Sequence, residues 1–351
     1  MRPDEGSTIP VDPSEPDRRE SLGMTKLCQI GCGEHARVAH GPSQRRCAAE
    51  RPDLVLAACC DLDAGRAESF RRDFGFARAF TDPVTMLAEE QPDAVVVVVP
   101  VERTVAVGSL VLERRIPLLL EKPPGRTAAD VDRLVAVAEK HGGVSHQVAF
   151  NRRFAPLVRE LRRRIEEAGP LQHLHYEMTR VERRDPDFST TAIHGLDAIR
   201  YLAGCDYAEA RFRYHELPEL GPGVADILVD AVMTSGATAH LAFCPVAGVL
   251  VERATAHAHG HTLFLHVPMW SGVDSPGRLW HFAGGKLAAD LGGDRVGDGI
   301  ALFELGGFYR ETAAFLEAVA AEREPSPSLR ESRQSVDIAE HLRERRREYR
   351  P

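Results

Sequence analysis

The amino-acid sequence predicts an α/β protein: an N-terminal Rossmann-type, doubly wound parallel sheet, followed by a C-terminal α+β domain with a large, mainly antiparallel open sheet. Continuous β-branched runs such as Ala94 to Val99 indicate strands buried on both faces. Helix-like segments alternate with these runs over about 125 residues, as in doubly wound folds. After Phe150 the pattern changes to period-two alternation, which is typical of antiparallel strands.

The chain has 351 residues, which is more than one domain usually contains. We predict a leader at residues 1–23, a first domain at 24–148 and a second domain at 149–351. The leader has almost no hydrophobic residues, so we expect it to be disordered. It also lacks the apolar centre of a secretory signal, and Met24 is a possible natural start.

In the first domain, apolar runs predict the strands, and the segments with one polar face that alternate with these runs predict the helices. The predicted strands are 26–30, 54–60, 94–99, 117–120 and 144–150, and the predicted helices are 36–50, 64–74, 104–114 and 127–141.

The second domain is predicted to begin with an amphipathic helix at 155–168 that ends at Gly169-Pro170. Its predicted strands are 171–180, 211–216, 225–233, 237–243, 249–257 and 262–267, with a helix at 191–203 inserted after the first of them. A final helix is predicted from the capping box Ser328 to Glu331 into Arg343 to Arg350. The stretch Gly284 to Gly299 is interpreted as turns and loops.

Composition excludes several classes of function. The net charge of −8 disfavours binding to nucleic acid or to anionic lipid, because both require clustered cations. The longest apolar run, Ala94 to Val101, is too short to span a membrane. The seven cysteines show no paired C-x-x-C spacing, which favours reduced thiols and a cytoplasmic location.

A dinucleotide-binding motif lies between the first predicted strand and helix. Gly31, Gly33 and Ala36 form a G-x-G-x-x-A turn, in which the glycines permit a tight turn and close approach of a pyrophosphate. Asp61, at the end of the second strand, would accept hydrogen bonds from the ribose hydroxyls and repel a 2′-phosphate. NAD is therefore favoured as the cofactor, and the nearby Arg66 keeps NADP open.

A second candidate position is Lys122 in the sequence Glu121-Lys122-Pro123, directly after the predicted strand 117–120. Ligands of open α/β sheets bind at the carboxyl ends of the strands, so this lysine is expected to face the crevice. The chain has only four lysines among 44 basic residues, which makes a retained lysine informative. The alternative is a surface lysine at a strand exit.

A histidine-rich stretch contains His257, His259, His261 and His266. Imidazoles at i and i+2 share one face of a strand, but no cysteine or carboxylate is interleaved to complete a ligand set. We interpret the stretch as a strand that enters a turn, and we predict no metal site.

Several motifs together resemble the glucose-fructose oxidoreductase, inositol dehydrogenase and MocA (Gfo/Idh/MocA) family. Besides the Gly31 to Ala36 turn and Glu121-Lys122-Pro123, they are Phe150-Asn-Arg-Arg-Phe154 and His194-Gly-Leu-Asp197 ahead of Tyr201-Leu-Ala-Gly204. The terminal stretches Gly307-Phe-Tyr-Arg310 and Pro325 to Leu329 are similar too. The resemblance covers the chain from Met24 onward.

The resemblance implies an NAD(P)-dependent oxidoreductase that acts on a sugar, a cyclitol or a related polar carbinol or carbonyl. It implies that Lys122 touches both cofactor and reacting hydroxyl, that His194 accepts the proton, and that the open sheet forms a homodimer or homotetramer. The assigned cofactor-binding residues are Gly31, Gly33, Glu34, His35, Ala36, Asp61, Pro100, Glu121 and Lys122. The assigned substrate-binding residues are Asn151, Arg152, Thr190 and Asp197.

Two positions depart from the family pattern. Thr190 stands four residues before His194, where members commonly have an acid, and Thr104 stands where a histidine is frequent. Asp187 is a conjectural replacement for the acid, with a turn aspartate as the alternative. A redox-neutral enzyme that retains its nucleotide, and a non-enzymatic sensor, therefore stay open as alternatives.

Overall fold

The computed structural model describes residues 24–270 and 272–351. The predicted leader, 1–23, lies outside the described residues, so its disorder stays a prediction, as do the domain boundaries. Within the described part of the chain, no helix combines the length and apolar character needed to cross a membrane.

The N-terminal sheet has six parallel strands in the order β3-β2-β1-β4-β5-β6. Its strands are β1 (Thr25–Ile30), β2 (Leu54–Cys60), β3 (Arg78–Phe80), β4 (Ala94–Val97), β5 (Leu118–Glu121) and β6 (His146–Ala149). A π-helical turn (Ala36–His40) leads into α1 (Gly41–Glu50), and the other helices are α2 (Ala64–Phe74), α3 (Pro83–Glu90), α4 (Val101–Leu112) and α5 (Ala128–Lys140).

The predicted doubly wound sheet is confirmed, and two of its elements were missed. β3 has only three residues, too few for a periodic pattern. α3 is short and begins at an Asp82 cap, whose side chain accepts from the Thr85 amide. The third predicted strand was too long, because the chain leaves the sheet after Val97 and enters α4 at Val101.

The second sheet has nine strands in the order β14-β13-β12-β11-β7-β10-β9-β8-β15, and all its pairs are antiparallel except β7 with β10. The first five are β7 (Leu171–Thr179), β8 (Tyr207–Glu216), β9 (Ala225–Met233), β10 (Thr238–Cys244) and β11 (Val251–Ala258). The others are β12 (His261–His266), β13 (Arg278–Ala283), β14 (Lys286–Gly292) and β15 (Glu348–Tyr349).

Six helices accompany this sheet: α6 (Pro156–Ala168), α7 (Ser189–Ala203), α8 (Gly293–Val296), α9 (Leu302–Leu305), α10 (Phe308–Ala320) and α11 (Leu329–Arg343). α6 and α7 pack against the sheet, while α10 packs against α1 and α11 against α5. A 3-10 turn, Asn151–Phe154, joins β6 to α6. The junction places the carboxyl end of β5 near the start of α7.

Two predictions for the C-terminal part were wrong. Part of Gly284 to Gly299 forms β14, because Gly284 and Gly285, both at positive φ, turn the chain into a hairpin with β13. The last helix ends at Arg343, not near Arg350. The chain then turns, with Arg345 at φ 56°, and Glu348–Tyr349 pairs with β8.

Candidate active site

The loop after β1 has the geometry that a dinucleotide requires. Gly31 has φ +90°, and a Cβ there would lie 1.9 Å from the Val98 carbonyl oxygen, so only glycine fits. A Cβ on Gly33 would meet nothing within 4 Å, which leaves that backbone open to close approach. Ala36 is buried and begins the following helical turn.

Asp61 lies directly after β2 and beside this loop. Its Oδ2 accepts a hydrogen bond from the Cys32 amide at 2.9 Å, and its Oδ1 accepts one from the Asp63 amide at 3.0 Å. An open glycine, a helix start and a carboxylate at the end of the second strand together fit the pyrophosphate and ribose of a dinucleotide.

Glu121, at the end of β5, is held by two histidines. Its Oε1 accepts from His35 Nε2 and from His40 Nε2, each at 2.9 Å, and its Oε2 accepts from the Lys122 amide at 2.9 Å. Burial raises the pKa of Glu121, but the charges and hydrogen bonds of His35 and His40 outweigh it and hold the pKa well below its usual range. Glu121 is therefore a fixed anion beneath the crevice.

Lys122 and His194 meet at the start of α7. The Lys122 ammonium donates to the Thr190 carbonyl oxygen at 3.3 Å, one helical turn before His194. Burial, followed by the positive charges of Arg152, Lys122 and Arg180, holds the pKa of His194 well below its usual value. Its imidazole is accordingly neutral at pH 7, as a proton acceptor must be.

Both side chains line one cavity of about 310 Å³. Its polar lining consists of His35, Lys122, Arg152, Arg180, Arg183, Thr191 and His194, and its apolar lining of Val181, Leu250, Met269, Trp270 and Phe308. The cavity is large enough for a small polar molecule.

A buried ion cluster forms one wall of the cavity. Glu252 is fully buried; its Oε1 accepts from Arg152 Nη2 at 2.8 Å and is also paired with Arg180. The Tyr176 hydroxyl donates to Glu252 Oε2 at 2.9 Å. Burial raises the pKa of Glu252, but the two guanidinium groups outweigh it and lower the pKa to about 2. Glu252 therefore holds the guanidinium groups of Arg152 and Arg180 in place.

Several assigned substrate residues lie elsewhere. Both oxygens of Asp197 bind Arg153 at 2.7 Å, and Asp197 does not line the cavity. The Asn151 amide donates to the Gly306 carbonyl and accepts from Arg152, so it lies behind that arginine. Thr190 contributes its carbonyl oxygen to Lys122, and its hydroxyl points back to the Asp187 carbonyl.

Three further positions do not line the cavity. Glu34 is exposed, and Pro100 is an exposed residue that precedes α4. Asp187 accepts from the Ser189 amide and hydroxyl at the start of α7, which is the turn role named as the alternative to a catalytic one.

The cavity also contains residues that the sequence analysis missed. Arg180 and Trp270 line it, and Glu252 lies behind it. A single acid inside the predicted strand 249–257 was an available signal, because a carboxylate in a buried strand requires a partner. Arg183 belongs to the loop before α7 and reaches Thr191 Oγ1 at 3.1 Å.

Within residues 24–270 and 272–351, one group of three side chains could hold a metal ion: His35, His40 and Glu121, whose ligand atoms lie within 4.8 Å of one another. The hydrogen bonds described above already join them. The histidines of 257–266 do not gather: His257 contacts Thr262, and His261 contacts His281.

Comparison with known proteins adds to this geometry. Residues 26–150 match the model of the family described as "Oxidoreductase family, NAD-binding Rossmann fold". Inositol 2-dehydrogenase 1 of Saccharopolyspora erythraea is 31% identical over 156 residues, which cover 42% of this chain and 46% of that protein. The chain thus spans about half the length of this relative.

Solved structures show the same fold over nearly the whole chain. An oxidoreductase domain protein from Kribbella flavida has a TM-score of 0.77 at 18% identity and covers 93% of this chain and 99% of its own. An oxidoreductase from Agrobacterium radiobacter, solved with NAD+, L-tartaric acid and magnesium, has a TM-score of 0.76 at 16% identity and covers 93% and 98%.

Proposed function

We propose that this chain is an NAD(P)-dependent oxidoreductase acting on a CH–OH group of a small, carbohydrate-like molecule, because residues 26–150 match the model of the Gfo/Idh/MocA oxidoreductase family. The observation that carries the proposal is the position of Lys122 and His194. Both line one cavity, next to the glycine loop that fits a dinucleotide. The similarity to inositol dehydrogenases supports a polyol or sugar as substrate.

A bound nicotinamide would supply the acceptor for the hydride of the carbinol. The protein must then remove the hydroxyl proton, and His194 is the neutral base facing the cavity. Lys122 is placed to donate a hydrogen bond to the same oxygen and to stabilise its developing negative charge. Trp270 and Phe308 line the same space and reduce its access to water.

We propose NAD as the preferred cofactor. The Asp61 carboxylate stands where the adenosine ribose is expected, and it disfavours a 2′-phosphate by charge. A cytoplasmic location and a homodimer or homotetramer remain predictions from the sequence.

The test is a screen of the purified protein for cofactor reduction with sugars, cyclitols and sugar acids, combined with analysis of bound nucleotide after denaturation. We expect NADH to accumulate with one substrate class. Nucleotide that co-purifies while no substrate yields NADH, together with conversion of a sugar, would favour the redox-neutral alternative. Absence of both nucleotide and turnover would favour the sensor.

A further inference from the structure

The polar lining of the cavity is cationic. Lys122, Arg152, Arg180 and Arg183 all line it, and no aspartate or glutamate side chain does so among the residues that the structure describes. This lining is unusual for a site that binds a neutral polyol, because hydroxyl hydrogens require acceptors. Ammonium and guanidinium groups have none.

The neighbouring carboxylates do not balance these charges. Glu252 is shared by Arg152 and Arg180, so one negative charge faces two positive ones. Asp185 pairs with Arg183 at 3.0 Å, and Glu121 is the anion nearest Lys122. The four cations of the lining therefore outnumber the three neighbouring carboxylates, and each of these carboxylates already accepts hydrogen bonds from protein donors.

Arg183 is the cation best able to exchange its partner. Arg152 uses Nε, Nη1 and Nη2 on Glu252, Asn151 and Met269, and Arg180 is fixed by Glu252 and the Thr179 carbonyl. Arg183 instead pairs with an Asp185 whose side chain is 43% exposed, and such exposed pairs contribute little. The Arg183 guanidinium can therefore exchange Asp185 for a ligand at a small cost in free energy.

Building on the function proposed above, we propose that the substrate is anionic and carries a carboxylate, as a sugar acid or other hydroxy acid does. Arg183 binds that carboxylate at the wall of the cavity, while the reacting carbinol lies at Lys122 and His194. A carboxylate is an acceptor only and pairs with a guanidinium in bidentate geometry, so it matches the four cationic donors of the lining.

The surroundings of His194 support this assignment. Three cations disfavour the imidazolium that would form when His194 accepts the hydroxyl proton. A bound carboxylate offsets these charges and makes His194 a better base only when substrate is present. The anion thus contributes to catalysis as well as to recognition.

The experiment compares matched neutral and acidic substrates, for example glucose with gluconate and glucuronate, galactose with galacturonate, and inositol with small hydroxy acids. We expect kcat/KM for acids to exceed that for their neutral counterparts by about 10- to 100-fold, because a hydrogen bond to a charged group contributes roughly 1.5–3 kcal/mol. Equal or higher kcat/KM for neutral sugars would overturn the inference and leave the proposed function intact.

The variant Arg183→Gln isolates the assigned contact, with Arg184→Gln as the matched control. Arg184 is the adjacent surface arginine, pairs with Glu182 and does not line the cavity. Arg183→Gln should lower the ratio of kcat/KM for acids to kcat/KM for their neutral counterparts by about 10- to 100-fold, whereas Arg184→Gln should leave this ratio unchanged. Equal losses in both variants, or no loss in Arg183→Gln, would contradict the assignment.

A binding measurement separates this inference from the proposed activity. In calorimetry with NADH present, acids should bind with an affinity that falls with added salt, even if no turnover is found. That result would support the anion site while the oxidoreductase proposal failed. Absence of binding by every carboxylate at millimolar concentration would overturn the inference.

Discussion

The Lys122 ammonium donates a hydrogen bond to the carbonyl oxygen of Thr190 at 3.3 Å, which ties the end of β5 to the first turn of α7. His194 lies one turn further along the same helix. Thr190 therefore contributes through its backbone, although it lacks the carboxylate that members of the family it resembles commonly have at this position. The contact also explains how a residue from each half of the chain reaches one cavity.

We predict that Lys122→Met and His194→Ala each lower turnover by roughly 10² to 10⁴, the usual contribution of a positioned acid or base. NAD binding should largely persist in His194→Ala, because the adenosine and pyrophosphate contacts lie on the first domain. Steady-state kinetics on an identified substrate and calorimetry with NAD measure the two effects. Turnover within about threefold of wild type in both variants would remove the assigned roles.

The pH dependence of oxidation should follow the lowered pKa values of His194 and Lys122. The pKa of His194 is held well below 6.5, so the required neutral form persists through neutral pH and is lost only in clearly acidic solution. Burial also lowers the pKa of Lys122 from 10.5, so its hydrogen-bond donor charge is lost earlier in alkaline solution than in a free lysine.

A profile of kcat/KM against pH tests both directions. Lys122→Arg should move the alkaline decline to higher pH, because a guanidinium does not deprotonate in this range. An acidic limb with its midpoint at or above pH 6.5 that disappears in His194→Ala would contradict the assigned environment of the histidine.

The sequence was informative wherever a local pattern determines the structure. The β-branched run of β4, the glycines at 31 and 33, and the capping box of α11 each depend on neighbouring residues, and each was predicted at its place. Lys122 was predicted to face the crevice because ligands of open α/β sheets bind at the carboxyl ends of the strands, and Lys122 lines the cavity.

The ion cluster was not predictable because its members lie far apart in the chain. Arg152 and Glu252 are separated by 100 residues, and Arg180 and Glu252 by 72. No short-range pattern relates such positions, so the sequence shows three charged residues without showing that they form one cluster. The pairing of Asp197 with Arg153 was not predictable for the same reason, since Arg153 belongs to another element.

Cofactor selection should depend on the charge of Asp61. Asp61→Asn keeps an acceptor for the Cys32 amide but removes the negative charge. We therefore expect NAD to bind more weakly and the ratio of NADP affinity to NAD affinity to rise. Asp61→Ala, which also removes the acceptor, separates charge from loop geometry. Calorimetric titration of both cofactors is the measurement. A wild-type preference for NADP that survives Asp61→Ala would refute the role.

A buried acid on α10 gives a prediction about stability. Glu311 is fully buried, and neither of its carboxyl oxygens has a hydrogen-bond partner among the described residues. Burial, together with the negative charge of Glu121, raises the pKa of Glu311 well above 4.5, with Arg152 opposing weakly. The folded protein therefore holds a proton here that the unfolded chain releases.

The contribution of Glu311 to folding stability consequently falls as the pH rises above its unfolded pKa of 4.5, because this group binds a proton in the folded state that it has lost in the unfolded state, until the raised pKa is passed. The slope is at most about 1.4 kcal/mol per pH unit for one group.

Glu311→Gln should remove this contribution and make the protein more stable than wild type at neutral and alkaline pH. Glu317→Gln, an exposed acid on the same helix, is the matched control and should leave the slope unchanged. Urea unfolding between about pH 5 and pH 8 measures the difference. An unchanged slope in Glu311→Gln would show that Glu311 is ionised in the folded protein.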